Sequence, residues 1–155
     1  QYWGSERVYH HTAPINMVYG LHEATRLILT EGVATRIARH TTNSRALIAG
    51  LEAMGLSMQV PAAERLTTLN AVRLPAGVND LPVRQAMLQR YGIEIGGGLG
   101  PLKGQIWRIG LMGAGSTRRN VTLCLAALAE ILRSQGYTPT GDPLAAAAQV
   151  YAESV

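Results

Sequence analysis

Hydrophobic positions recur at a helical period through most of the chain and switch to alternation near its middle. Met17, Leu21, Ala24 and Ile28 fall at i, i+4, i+7 and i+11, on one face of a helix predicted over about 14–31. Pro14 in its first turn, with Thr12 ahead of it as a cap, marks the start, and Gly32 the stop or kink. A second helix over about 33–54 turns Ile37, Ser44, Leu47, Leu51 and Met54 inward and keeps Arg36, Arg39, Arg45 and Glu52 mostly outside. Gly55 ends it, and the pair is expected to form a helical hairpin of the kind that lies against a sheet.

Beyond Gly55 the period changes. Leu56, Met58 and Val60 alternate with polar neighbours, as roughly do Leu69, Ala71, Val72 and Leu74, before Pro75-Ala76-Gly77 turns the chain. Asn79 or Asp80 caps a helix of about 81–91 with Val83, Met87, Leu88 and Tyr91 on its core side. Ile93-Glu94-Ile95 reads as a short strand running into Gly96-Gly97-Gly98-Leu99-Gly100-Pro101, and 105–113 as the next strand. Ser116 or Thr117 caps an amphipathic helix in which Val121, Leu125, Leu128 and Leu132 repeat the i, i+4, i+7, i+11 spacing up to Gly136. An Ala-rich helix over about 142–153 comes last. Helices segregated over a small, mostly antiparallel sheet give the α+β class, and the lack of repeats or low-complexity linkers gives one domain over 1–155.

Composition narrows the function. With 155 residues, 47% hydrophobic and 15% charged, the chain can fill a core. No apolar run reaches the ~18 residues of a membrane span. The single cysteine, Cys124, leaves no disulfide framework or multi-cysteine metal site, and it sits in the apolar part of its helix as inert core. No basic-then-apolar leader opens the chain, so a cytoplasmic location is expected. A start at Gln1-Tyr2-Trp3-Gly4 reads as a cut through a larger protein. The net charge of +4 is spread along the chain and carried by Arg, apart from Lys103. Without a basic run or an aromatic platform, nucleic acid is disfavoured and small anions fit better.

Arg108 is the most informative charge. It stands mid-strand among Ile106, Trp107, Ile109 and Leu111, where a guanidinium is costly unless an anion meets it. Two readings are open: a solvent-face arginine with a local salt bridge, or a bidentate clamp for a carboxylate. The run Gly96-Gly97-Gly98-Leu99-Gly100 fits a phosphate cradle or a bend between strands, and the lack of the P-loop ending favours the bend. Its single GxxG, from Gly97 to Gly100, is also what an RNA clamp would show. Tyr9-His10-His11-Thr12 precedes a helix start, which suits either a phosphate or a plain cap. Adjacent histidines on an extended segment point apart, so no metal site is expected, and no serine stands in a nucleophile-elbow setting.

Taken together, Tyr2-Trp3-Gly4, Tyr9-His10-His11-Thr12-Ala13-Pro14, Ile95-Gly96-Gly97-Gly98-Leu99-Gly100-Pro101 and Trp107-Arg108-Ile109-Gly110-Leu111-Met112-Gly113 resemble one family. It is the alanine–glyoxylate and serine–glyoxylate branch of the class V pyridoxal-phosphate aminotransferases. The likeness covers the C-terminal part of that family's subunit. Gly-Pro-Leu-Lys-Gly before Trp107-Arg108, Asn16 after Ala13-Pro14-Ile15, and the Ala-rich tail to Val150-Tyr151 look most like the (S)-ureidoglycine–glyoxylate members of purine breakdown.

The resemblance implies that 1–155 is the small C-terminal domain of a fold-type I enzyme, with 1–31 leading from a large domain. It implies that Arg108 grips the substrate's α-carboxylate and that Asn16 meets the amide end of the donor. Tyr9 and Thr12 would reach the pyridoxal phosphate of the neighbouring subunit in a homodimer, and an amino group would pass to glyoxylate to give glycine. One departure stands out. Lys103 is the chain's only lysine and lies in Pro-Leu-Lys-Gly, not in the family's Schiff-base motif, so the chain alone is expected to be inactive. A non-enzymatic α+β module binding a carboxylate metabolite or RNA is the alternative.

Overall fold

The computed structural model describes Ser5 and residues 11–154. These form two compact units, Gln1–Arg36 and Ile37–Val155. The first unit holds helix α1 (Ile15–Glu31), which buries none of its own residues. Its N-cap position is Pro14, which makes no side-chain bond, where the sequence predicts Thr12 as the cap; Gly32, at φ 84°, ends it. Helix α2 (Val33–Ala53) runs through the division.

The second unit is an α+β layer. Its strands are β1 (Leu69–Arg73), β2 (Gly96–Gly97) and β3 (Ile106–Gly110), in the order β1-β3-β2 with both pairings antiparallel. Its further helices are α3 (Asp80–Tyr91), α4 (Arg118–Ser134) and α5 (Pro143–Ala152). Leu56–Val60 makes only one bridge, Met58 to Val72, instead of the strand its alternation predicts. The expected strand at Ile93–Ile95 begins instead in the glycines that follow. The chain leaving α3 is first held by Ile93 N donating to Met87 O, and it meets β3 only at Gly96.

Alternation within the strands explains which face carries the core. Val72 and Trp107 are paired across β1 and β3 and both are fully buried. Against them lie α2 and α4. Val121, Leu125, Leu128 and Leu132 are all 0% exposed, as their spacing predicts. Each such leucine contributes about 1.5–3 kcal/mol by leaving water. The helices approach closely at Gly50, where an added Cβ would fall 2.4 Å from Leu125 Cδ1 and 2.9 Å from the Pro143 carbonyl. Tyr137 Oη and Thr140 Oγ1 donate to the carbonyls of Met54 and Ala53 at 2.8 and 2.9 Å, closing the end of α2.

Three further expectations change. Ile37 is exposed, not inward, because the buried face of α2 begins at His40. Leu88 is half exposed, and only Val83 and Met87 of α3 are buried. Asn79 holds the N-cap of α3 with no side-chain bond, while the Asp80 carboxylate takes Arg84 Nε at 2.7 Å. For α4 the choice resolves to Thr117, whose side chain accepts from Asn120 N, since Ser116 is buried.

Leu125→Ala is expected to lower stability by about 2–5 kcal/mol, from lost burial plus a cavity. Gly98→Ala is expected to prevent folding, because its Cβ would stand 1.9 Å from the Leu102 carbonyl oxygen, a backbone atom. Urea unfolding followed by circular dichroism measures both, and a wild-type midpoint for either would contradict this packing.

Candidate functional site

Strand β3 reads Ile-Trp-Arg-Ile-Gly, and its alternation decides where the charge goes. Trp107 and Ile109 turn toward the helices. Arg108 turns to the opposite face, across from Ala71 of β1 and Gly96 of β2. Both partners are small, so the guanidinium lies over nearly bare backbone. Arg108 is half-buried, and its Nε donates to the Gly97 carbonyl at 2.8 Å. Among the described residues no carboxylate lies within salt-bridge distance of it, and neither terminal nitrogen has a partner. The reading of a locally salt-bridged arginine is therefore not what the structure holds.

Beside Arg108 is a cavity of about 160 Å³, walled by Met58, Val60, Leu66 and Ala71. Its size is close to the ~150 Å³ of an apolar cavity that holds benzene. Glu64 and Arg65 also border it; Glu64 is exposed, and Arg65 is engaged by the Val60 carbonyl and by Glu52 at 3.5 Å. A planar cation with two open N–H-bearing nitrogens next to apolar walls suits a carboxylate. The fork geometry allows two parallel hydrogen bonds, and reduced water contact strengthens them.

The exit of β3 is anchored to α2 by polar groups. Gly113 N donates to His40 Nε2 at 3.1 Å, which puts the imidazole proton of the neutral ring on Nδ1. Arg39 donates to the carbonyls of Gly113 and Ser116. Asn43 Nδ2 donates to the Ser116 carbonyl at 2.9 Å and to its Oγ at 3.2 Å, and Tyr151 Oη donates to Asn43 Oδ1 at 2.8 Å. Composition and motif reading missed this set. Its signal was a polar run, His40 to Ser44, on the buried side of an otherwise apolar stripe.

The other sequence candidates are placed as follows. Asn16 is exposed in the first turn of α1, and Thr12 is exposed just ahead of it, both in the first unit. Tyr9 lies outside the described residues. Lys103 is exposed at the end of the 3-10 turn Gly100–Leu102, its N–H bonded to the Gly100 carbonyl. The Gly-rich run makes β2 and that turn, so it is a bend between strands. Among the described residues no group of His, Cys, Asp and Glu could hold a metal ion, and no helix is long and apolar enough to cross a membrane.

No family model matches the chain. It is 41% identical over 151 residues to the (S)-ureidoglycine–glyoxylate transaminase of Bacillus subtilis, covering 97% of this chain and 36% of that protein. It is 39% identical to an alanine–glyoxylate aminotransferase of Drosophila melanogaster over 86% of this chain and 35% of the relative. The crystal structure of the Bacillus subtilis ureidoglycine–glyoxylate aminotransferase superposes with a TM-score of 0.90 and 39% identity, over 97% of this chain and 39% of that one. The chain thus spans about a third of the length of the curated relatives it matches.

Cys124 is buried, and burial pushes its thiol up to about 12. Because the thiolate is the reactive form, the native protein is expected to resist a thiol-reactive dye at pH 8 and to react fully in urea. Rapid labelling of the folded protein would show that α4 does not shield it.

Proposed function

The chain belongs, in sequence and in fold, with the C-terminal part of the glyoxylate aminotransferases, and we propose that it serves such an enzyme as its carboxylate-binding portion. The reaction is the transfer of an amino group from ureidoglycine, alanine or serine to glyoxylate, giving glycine, with a place in purine and allantoin breakdown in the cytoplasm. The observation that carries this reading is the guanidinium of Arg108, half-buried, held by one backbone carbonyl and with no acidic partner among the described residues.

Donor and acceptor share one feature, an acid group next to the reacting carbon. A clamp for that group therefore serves both half-reactions. Arg108 would fix the carboxylate so that the amine or carbonyl carbon is presented in a constant orientation, which is a positioning contribution. Asn16 would meet the amide end of the donor. Tyr9 and Thr12 would reach the cofactor phosphate of the second subunit in a homodimer.

Pyridoxal phosphate supplies an aldehyde carbon and an electron-withdrawing ring when it is bound. Lys103, the single lysine of the chain, is exposed at the end of its turn and stands outside the family's Schiff-base motif. The lysine that joins the cofactor and moves the proton would then lie in the two thirds of the relatives' length that the chain does not span, with Tyr9 and Thr12 of this chain contributing to the phosphate alone.

In the full-length enzyme carrying this segment, Arg108→Ala should raise KM for alanine and for glyoxylate alike. Loss of charge-assisted bonds worth about 1.5–3 kcal/mol corresponds to a rise of roughly ten- to a hundredfold. Arg108→Lys keeps the charge but not the fork and should fall between. Steady-state kinetics with both substrates decides it, and wild-type KM values would remove the assignment.

A further inference from the structure

Gly96 and Arg108 face each other across the β2–β3 ladder, and cross-strand partners project to the same side of a sheet. Gly96 has no side chain to project. An added Cβ would fall 3.1 Å from Arg108 Nη2, 3.4 Å from Cζ and 3.4 Å from Nε. All three nearest atoms belong to the guanidinium, so that group rests directly on the backbone of Gly96. The next residue supplies the carbonyl that takes Nε. Two successive positions of β2 thus set the charge: one by being bare, the other by accepting a hydrogen bond.

Backbone conformation does not explain the glycine. Gly96 is absent from the residues with positive φ, so an alanine could adopt its dihedrals. Its neighbours differ in kind. A Cβ on Gly97 would project to the other face and meet Asp80 Oδ2 and Arg84 Nε, each at 3.2 Å. A Cβ on Gly98 would strike the Leu102 backbone. Only at Gly96 is the obstructing group the movable end of the residue assigned to the substrate.

We propose that Gly96 is a positioning residue for substrate binding: its missing side chain lets the Arg108 guanidinium lie flat on β2 and present its two terminal nitrogens at a fixed height. This rests on the reading of Arg108 as the carboxylate clamp. A methyl group there lifts the guanidinium by a few tenths of an ångström and strains the bond to Gly97. The fold absorbs the change, because the displaced atoms end a flexible side chain. The substrate does not, because two parallel hydrogen bonds tolerate little misplacement.

The test is a double-mutant cycle in the full-length holoenzyme, with Gly96→Ala, Arg108→Ala and the double variant. Measured are KM and kcat for alanine and glyoxylate, inhibition by acetate as an unreactive carboxylate, and the melting temperature. Gly96→Ala is expected to raise both KM values and the acetate inhibition constant roughly three- to tenfold, with kcat and melting temperature close to wild type. In the double variant the two effects should not add, since the group that Gly96 positions is gone. If Arg108→Ala leaves KM unchanged, the proposed function falls and this inference with it. If Arg108→Ala raises KM while Gly96→Ala does not, or the effects add, this inference alone is overturned. A Gly96→Ala protein that fails to fold overturns it too, because the contact then belongs to folding.

Discussion

The Nε–H of Arg108 donating to the Gly97 carbonyl holds a positive charge at the half-buried middle of a three-stranded sheet. A guanidinium at such a place loses hydration, and one backbone acceptor returns only part of it. The rest of the local structure accommodates that charge. Trp107 and Ile109 on the opposite face lock the strand into the core, so Arg108 cannot turn inward. Ala71 and Gly96, its cross-strand neighbours, leave the space beside it clear. The polar contacts beyond Gly110 keep the strand from sliding.

Much of this was legible in the residue pattern. The amphipathic spacing of Val121, Leu125, Leu128 and Leu132 marks a core helix because a period near four residues leaves one face to bury. Arg108 stood out for a related reason, an ionised side chain inside an apolar run. Less legible were features that depend on distant parts of the chain. Leu56–Val60 alternates like a strand, yet it meets β1 only around the Met58–Val72 bridge, through Gln59 N to the Ala71 carbonyl and Arg73 N to the Ser57 carbonyl, because pairing is decided by what lies alongside. Ile93–Ile95 is rich in strand formers, but the turn out of α3 spends it reaching the sheet, and the glycines make the ladder. The partner of a buried Asn43 could not be read from its neighbours, since Ser116 and Tyr151 are far along the chain.

The Gly-rich run shows why one composition supports several readings. As a string it matches a phosphate cradle, an RNA clamp or a bend. In the fold, each glycine answers to a different neighbour: a guanidinium at Gly96, the Asp80–Arg84 pair at Gly97 and the Leu102 backbone at Gly98. Small residues were needed because side chains and backbone from elsewhere already occupy the space.

Tyr151 carries a consequence of its own. Its hydroxyl holds Asn43, Asn43 holds Ser116, and its ring lies under the Arg118 guanidinium, 4.8 Å from the centroid. The last helix is therefore wired to the loop that leaves the Arg108 strand. A tag, nick or frameshift near the C-terminus would be transmitted along these contacts to the loop that leaves the strand carrying Arg108.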